Sequence, residues 1–141
     1  MQQTLMINQR PQDEYRRQQA MTASPIELVV MLYDGLKKNI ILGQRSIEKN
    51  DVQKAHKFLM KAQDIVSELL NSLNMNYEIS KELSELYEFI LQSLMDANIK
   101  KDAELLEPLL GMVDSLRGAW HEVDQQNKGS LHMEYEEVEE A

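Results

Sequence analysis

The side chains able to do chemistry in this chain are few, and their spacing is wrong for catalysis. Its three histidines are His56, His121 and His132. A helical bundle that holds a metal pair presents Glu-x-x-His on two of its helices. Here Gln53, Gly118 and Gly129 stand three residues before the histidines, and there is no His-x-x-x-His. The chain has no cysteine, hence no thiolate metal site, disulfide or cysteine nucleophile. No serine lies in a Gly-x-Ser-x-Gly elbow, and no glycine-rich loop could cradle a phosphate. Carboxylates abound, but Glu82, Glu85 and Glu88 recur at helical spacing and read as a solvated face. The expectation is a chain that is not an enzyme and needs no cofactor or metal.

The elements that position these residues are helices. Residues 1–23 are polar and lack a steady period, so a mobile N-terminal arm is expected, with a turn of helix near 13–20. Ser24-Pro25-Ile26-Glu27 is a capping box with proline in the first turn. It opens a helix over 25–48 whose stripe is Ile26, Val29, Tyr33, Leu36, Ile40 and Ile47. Gly43 falls in the one gap of that stripe, where a neighbour can come close.

A second cap, Asn50 with Gln53, precedes Val52, Ala55, Leu59, Ala62, Val66, Leu69 and Leu73. Asn74-Met75-Asn76-Tyr77 breaks the pattern. The third helix is expected from about 79–81 to 98, with a main stripe of Leu83, Leu86, Ile90 and Ala97. Tyr87, Leu91 and Leu94 form a second stripe beside it, with Phe89 and Met95 as further apolar surface. The fourth begins near Asp102 and carries Leu106, Leu109, Val113, Leu116, Trp120 and Val123, with Pro108 expected to kink it. Lys128-Gly129-Ser130 reads as its exit.

Four helices with short links predict an all-α, antiparallel up-down-up-down four-helix bundle over 24–127. A disordered acidic tail is expected over 128–141. The net charge is −9, and five glutamates sit in 134–141, leaving −4 on the rest. No basic stripe offers itself to a phosphate backbone, so nucleic acid is not expected as a partner. The longest apolar run, 28–33, falls far short of the roughly 20 residues of a membrane span, and no secretory signal is apparent. A soluble protein that stays in the cytoplasm is expected.

Apolar residues exceed what a bundle core uses, which is about three of every seven positions. Val30, Met31, Leu32, Ile41 and Leu42 lie beyond the first helix's stripe, and the chain has nine methionines. Periodicity leaves two readings open: a widened core, or a groove for a partner's amphipathic helix.

Thr22-Ala23-Ser24-Pro25-Ile26-Glu27-Leu28, running on to Met31-Leu32-Tyr33-Asp34-Gly35, resembles the start of the flagellar secretion chaperones of the FliS type. The resemblance continues in order through Lys61-Ala62-Gln63-Asp64-Ile65 with Leu69 and Leu73, Leu86-Tyr87, Ala97-Asn98 and Leu116-Arg117-Gly118-Ala119-Trp120. It covers about residues 15–123. Pro108 and the acidic tail are not part of the shared pattern.

The resemblance implies a cytoplasmic chaperone that binds the disordered C-terminal segment of flagellin, prevents premature polymerisation and hands the subunit to the flagellar export apparatus. It implies neither metal nor membrane insertion. The groove residues expected on that basis are Ile65, Leu69, Tyr87, Leu91 and Leu94, with Gln63 and Asn98 fixing register. Asn98 reads equally as a helix cap and Gln63 as a solvated side chain. Tyr15 is expected to cover the surface from the N-terminal arm by inserting its ring. Two other classes remain open to the residues alone: a helical adaptor for a different amphipathic client, and a bundle that buries its surplus stripe against a copy of itself.

Overall fold

The computed structural model describes residues 13–18, 21 and 23–140, with side chains through Gln126. Four helices make the body: α1 (Pro25–Glu48), α2 (Val52–Asn71), α3 (Glu78–Lys100) and α4 (Glu107–Glu140). A 3-10 turn, Ala103–Leu106, precedes α4, and residues 13–18 form a short helical piece of the arm. The rest of the expected mobile arm falls mostly outside the described residues.

The helix ends are set by local hydrogen bonds. Ser24 Oγ accepts the Glu27 N–H at 3.2 Å, and Pro25 occupies the first turn, as the capping box predicts. The cap of α2 is not Asn50, as expected, but Asp51, whose carboxylate accepts the Lys54 N–H at 3.1 Å. Asn50 instead closes α1. It takes a left-handed conformation, φ 60°, while its N–H reaches Ile47 O and the Asp51 N–H reaches Ser46 O at 2.8 Å. Those two bonds are the Schellman pattern, and asparagine tolerates the left-handed region better than most residues. α3 ends the same way at Lys101, φ 51°, with the Asp102 N–H on Ala97 O.

Pro108 does not kink a helix. The residues before it form the 3-10 turn capped by Asp102, so the proline falls in the first turn of α4, where its missing N–H has no partner to lose. At the other end, the expected exit at Lys128-Gly129-Ser130 and the disordered tail beyond it are replaced by continuous helix to Glu140. One helical glycine costs only about 1 kcal/mol relative to alanine, and the leucine, methionine and glutamates that follow are good helix formers.

α1 is the central rod, packing against α2 on one side and α4 on the other, while α2 also packs on α3. Lys37 pairs with Asp114 at 2.7 Å, Asp34 pairs with Arg117, and Gln44 donates to Glu107 at 2.8 Å. Numbers rising in α1 meet numbers falling in α4, so the two are antiparallel. α3 and α4 are joined through the 3-10 turn, which packs on both and whose Leu106 is fully buried.

The core takes Tyr33, Leu36 and Ile40 from α1 and Leu59, Ala62, Val66 and Leu69 from α2. α3 adds Leu83, Tyr87, Ile90, Leu94 and Ala97, and Leu109 and Val113 come from α4. The expected stripes hold for α2 from Ala55 to Leu69 and for the middle of α1, while Val52, expected in the α2 stripe, is exposed. In α3 they are redistributed: Tyr87 and Leu94, expected at the side, are in the core, and Leu86, expected in the core, is exposed. Gly43 is buried against Leu59, and a Cβ there would lie 2.8 Å from Leu59 Cδ2 and 3.1 Å from its Cγ.

Across the core, Tyr33 of α1 and Tyr87 of α3 hydrogen-bond through their hydroxyls, with ring centroids 6.4 Å apart. Trp120 of α4 packs against the same core and favours the ionised form of Tyr33. Either tyrosine hydroxyl can donate to the other. Burial raises the pKa of both phenols. The bond to Tyr87 raises Tyr33 further, while the bond to Tyr33 partly lowers Tyr87.

Two predictions follow from this packing. Gly43→Ala pushes a methyl into Leu59, and overpacking of this kind costs about 1–3 kcal/mol, more than the roughly 1 kcal/mol gained in helix propensity. Gly118 has open space around its missing Cβ, so Gly118→Ala keeps the propensity gain. Thermal melts should show Tm lowered in the first and raised in the second, by about 3–5 °C per kcal/mol for a chain of this size. For the phenols, both folded and unfolded chains are protonated below the ordinary tyrosine pKa of about 10. Above it the unfolded chain releases protons that the folded one retains, so stability falls as pH rises. An alkaline titration followed at 295 nm and by circular dichroism should show part of the tyrosine ionisation arriving together with loss of helix. Tyr33→Phe/Tyr87→Phe should remove that part.

Candidate client-binding surface

The contact between α2 and α3 defines an open furrow. Asn98 Nδ2 lies 3.1 Å from His56 Nδ1, a hydrogen bond that ties the end of α3 to the start of α2. Going up α2 from His56, Met60 and Gln63 follow at steps of four and three. Going down α3 from Asn98, Met95 and Leu91 follow at the same steps. Such steps keep residues on one helix face. The helices run antiparallel, so Met60 stands across from Met95 and Gln63 across from Leu91. Both methionines are exposed, and Gln63 and Leu91 are half-buried. The furrow is thus an apolar floor with one amide at its rim, lined by flexible thioethers that can adapt to a guest.

The sequence-expected residues divide among three places. Gln63, Leu91 and Asn98 share this furrow. Asn98 is already engaged: its Oδ1 accepts Lys101 Nζ at 2.6 Å while its amide faces His56. It therefore fixes the end of α3 against α2 as well as bordering the furrow. Leu69, Tyr87 and Leu94 lie beneath the surface in the core, where they support the furrow without lining it. Ile65 faces the other way, towards α1: a Cβ on Gly35 would sit 3.4 Å from Ile65 Cδ1.

On that α1 side lies a cavity of about 660 Å³. Leu28, Met31 and Leu32 of α1 form its apolar wall, Glu68 and Ser72 of α2 its far edge, and Arg16 and Arg17 of the arm its cover. The ring of Tyr15 is 67% exposed. The arm meets the cavity through Asp13, Arg16 and Arg17, and the expected insertion of Tyr15 is not the arrangement seen. Met60 escapes sequence reading because it interrupts no core stripe. Its spacing from His56 and Gln63 is the signal that finds it.

Trp120 is half-buried and serves the core through Tyr33. Asp34 and Gly35 serve packing. The Asp34 carboxylate binds Arg117 and raises the guanidinium's pKa, and Gly35 O accepts from Asn39 at 2.8 Å. Among the described residues no group of three or more His, Cys, Asp or Glu is placed to hold a metal, and no helix is long and apolar enough to cross a membrane.

Residues 6–127 match the family model described as flagellar protein FliS. The chain is 36% identical over 127 residues to the flagellar secretion chaperone FliS of Bacillus subtilis, covering 90% of this chain and 96% of that one. It is 31% identical to the chaperone of the same name from Salmonella typhimurium, covering 73% and 78%. A crystal structure of a flagellar chaperone from bacteria superposes with a TM-score of 0.69 at 16% identity, over 82% of this chain and 98% of that one. A helical bundle with surplus apolar surface along its helices is what an escort for another chain requires, and this chain belongs to the FliS family of flagellar secretion chaperones.

Proposed function

We propose that this chaperone binds the disordered C-terminal segment of flagellin in the cytoplasm, keeps it from polymerising and presents it to the flagellar export apparatus. The observation that supports the reading is the row of Met60, Gln63, Leu91 and Met95, side chains along the contact of two helices that stay exposed or half-exposed at the surface. A segment without structure of its own gains helix by laying an amphipathic face along such a row. Ordering it costs roughly 2–5 kcal/mol of the gross interaction, which a polar or narrow surface would not offset.

Leu91 supplies central apolar contact and Gln63 a hydrogen bond that sets register. Asn98 closes one end. Ile65 belongs to the second apolar region beside α1, which a further part of the same segment reaches once the arm carrying Tyr15 moves off. Leu69, Tyr87 and Leu94 act from below by holding the two helices at their spacing.

Calorimetric titration with the C-terminal segment of flagellin from the same cell, with circular dichroism alongside, tests this. The expected result is one-to-one binding, negative ΔCp and a gain of helix. Leu91→Asp should weaken binding about tenfold or more, which is 1.4 kcal/mol or more. A folded chain giving no heat and no helix gain would overturn the flagellin reading.

A further inference from the structure

α3 has a second exposed apolar flank. Asn98, Met95 and Leu91 turn towards α2. On the opposite flank, Ile79 and Leu86 stand one heptad apart and Phe89 follows three residues on. They are 61%, 38% and 55% exposed. This flank turns away from α2, and the exposure of all three side chains shows that no described helix covers it.

The charge around this flank is of one sign. Glu78, Glu82 and Glu85 are all exposed and rise along the same side of α3. None forms an ion pair with a described residue, in contrast to Asp114 with Lys37, Asp51 with Lys54 and Asp34 with Arg117. Lys81, the one base among them, lies three residues after Glu78 and four before Glu85 and forms no ion pair with either. Glu78 lies in the first turn, where its charge complements the helix dipole. Glu82 and Glu85 lie beyond that turn, so helix stability does not explain them.

Apolar side chains bordered by uncompensated carboxylates match one kind of guest, an amphipathic helix carrying lysine or arginine along the edge of its apolar face. We propose that Ile79, Leu86 and Phe89, with Glu82 and Glu85, form a docking surface for such a basic amphipathic helix. It is separate from the α2/α3 furrow and can be occupied at the same time. A chaperone that must pass its cargo on gains from a surface that its cargo leaves free.

The probes are three helical 18-residue peptides added to the full chain at low salt and read by fluorescence anisotropy. One has leucines on one face flanked by lysines, the second has the lysines changed to glutamates, and the third keeps the lysines but has serines for the leucines. The lysine-flanked peptide should bind at least tenfold more tightly than either of the others. Phe89→Ser, and separately Glu82→Gln/Glu85→Gln, should each lower its affinity fivefold or more. Ile99→Ser, an equal apolar loss on the α2-facing flank, should change it less than twofold. Circular dichroism should show all three variants folded, since each changes exposed residues. Equal binding of the serine peptide would mean attraction to the acidic chain as a whole and would overturn the proposal. A loss in Leu91→Asp as large as in Phe89→Ser would put the peptide in the furrow and overturn it too, as would absence of binding.

Discussion

The bundle depends on one buried polar contact, between the hydroxyls of Tyr33 and Tyr87. Leucine and valine contacts are tolerant; they hold helices together at many rotations. A buried hydroxyl is not tolerant, because leaving it unpaired costs about 1–3 kcal/mol. This contact takes one residue from each of α1 and α3, so satisfying it sets the rotation of two helices at once. No described buried side-chain polar atom lacks a partner, as expected if polar satisfaction selects one packing among many that hydrophobic burial would permit. α2 lies outside that contact and is placed by another constraint, the close approach of Leu59 to Gly43.

That division explains how much the sequence revealed. The start of α1, the core of α2 and the approach at Gly43 were legible because each is local: a cap, an unbroken period, a missing side chain. The inward face of α3 was not. Apolar residues occupy most of its circumference, so the period cannot choose between Leu86 and Tyr87 as the inward position. The choice is made by a hydroxyl partner on α1, which lies far away in the chain. Asn50 and Asp51 are both good caps, and their roles separate only when the Schellman turn of α1 is seen to need the left-handed residue. Pro108 misleads because the stripe from Leu106 to Leu109 continues across a change from 3-10 to α-helix.

The binding surface was half legible for the same reason. Gln63, Leu91 and Asn98 are brought to one furrow. Ile65 is only two residues from Gln63 but about 200° away around the helix, and so it serves a different face. Leu69, Tyr87 and Leu94 carry the side chains an interface favours, and the core claims them first. Once the inward face of α3 is fixed, its two flanks follow by geometry. The family likeness identifies an escort, and the arrangement of flanks then says where on the helix each kind of guest would find apolar surface.

The links between helices span only 49–51, 72–77 and 101–106. Three of the four helices therefore meet partners that are neighbours in the chain, and the return of α4 to α1 is the main long-range closure. Folding rates track the sequence separation of contacts, and helical bundles of this kind form in microseconds to milliseconds. Ribosomes add about 5–20 residues per second. A newly made copy thus becomes competent almost as soon as its last helix emerges, and supply of the folded protein is limited by synthesis, not by folding.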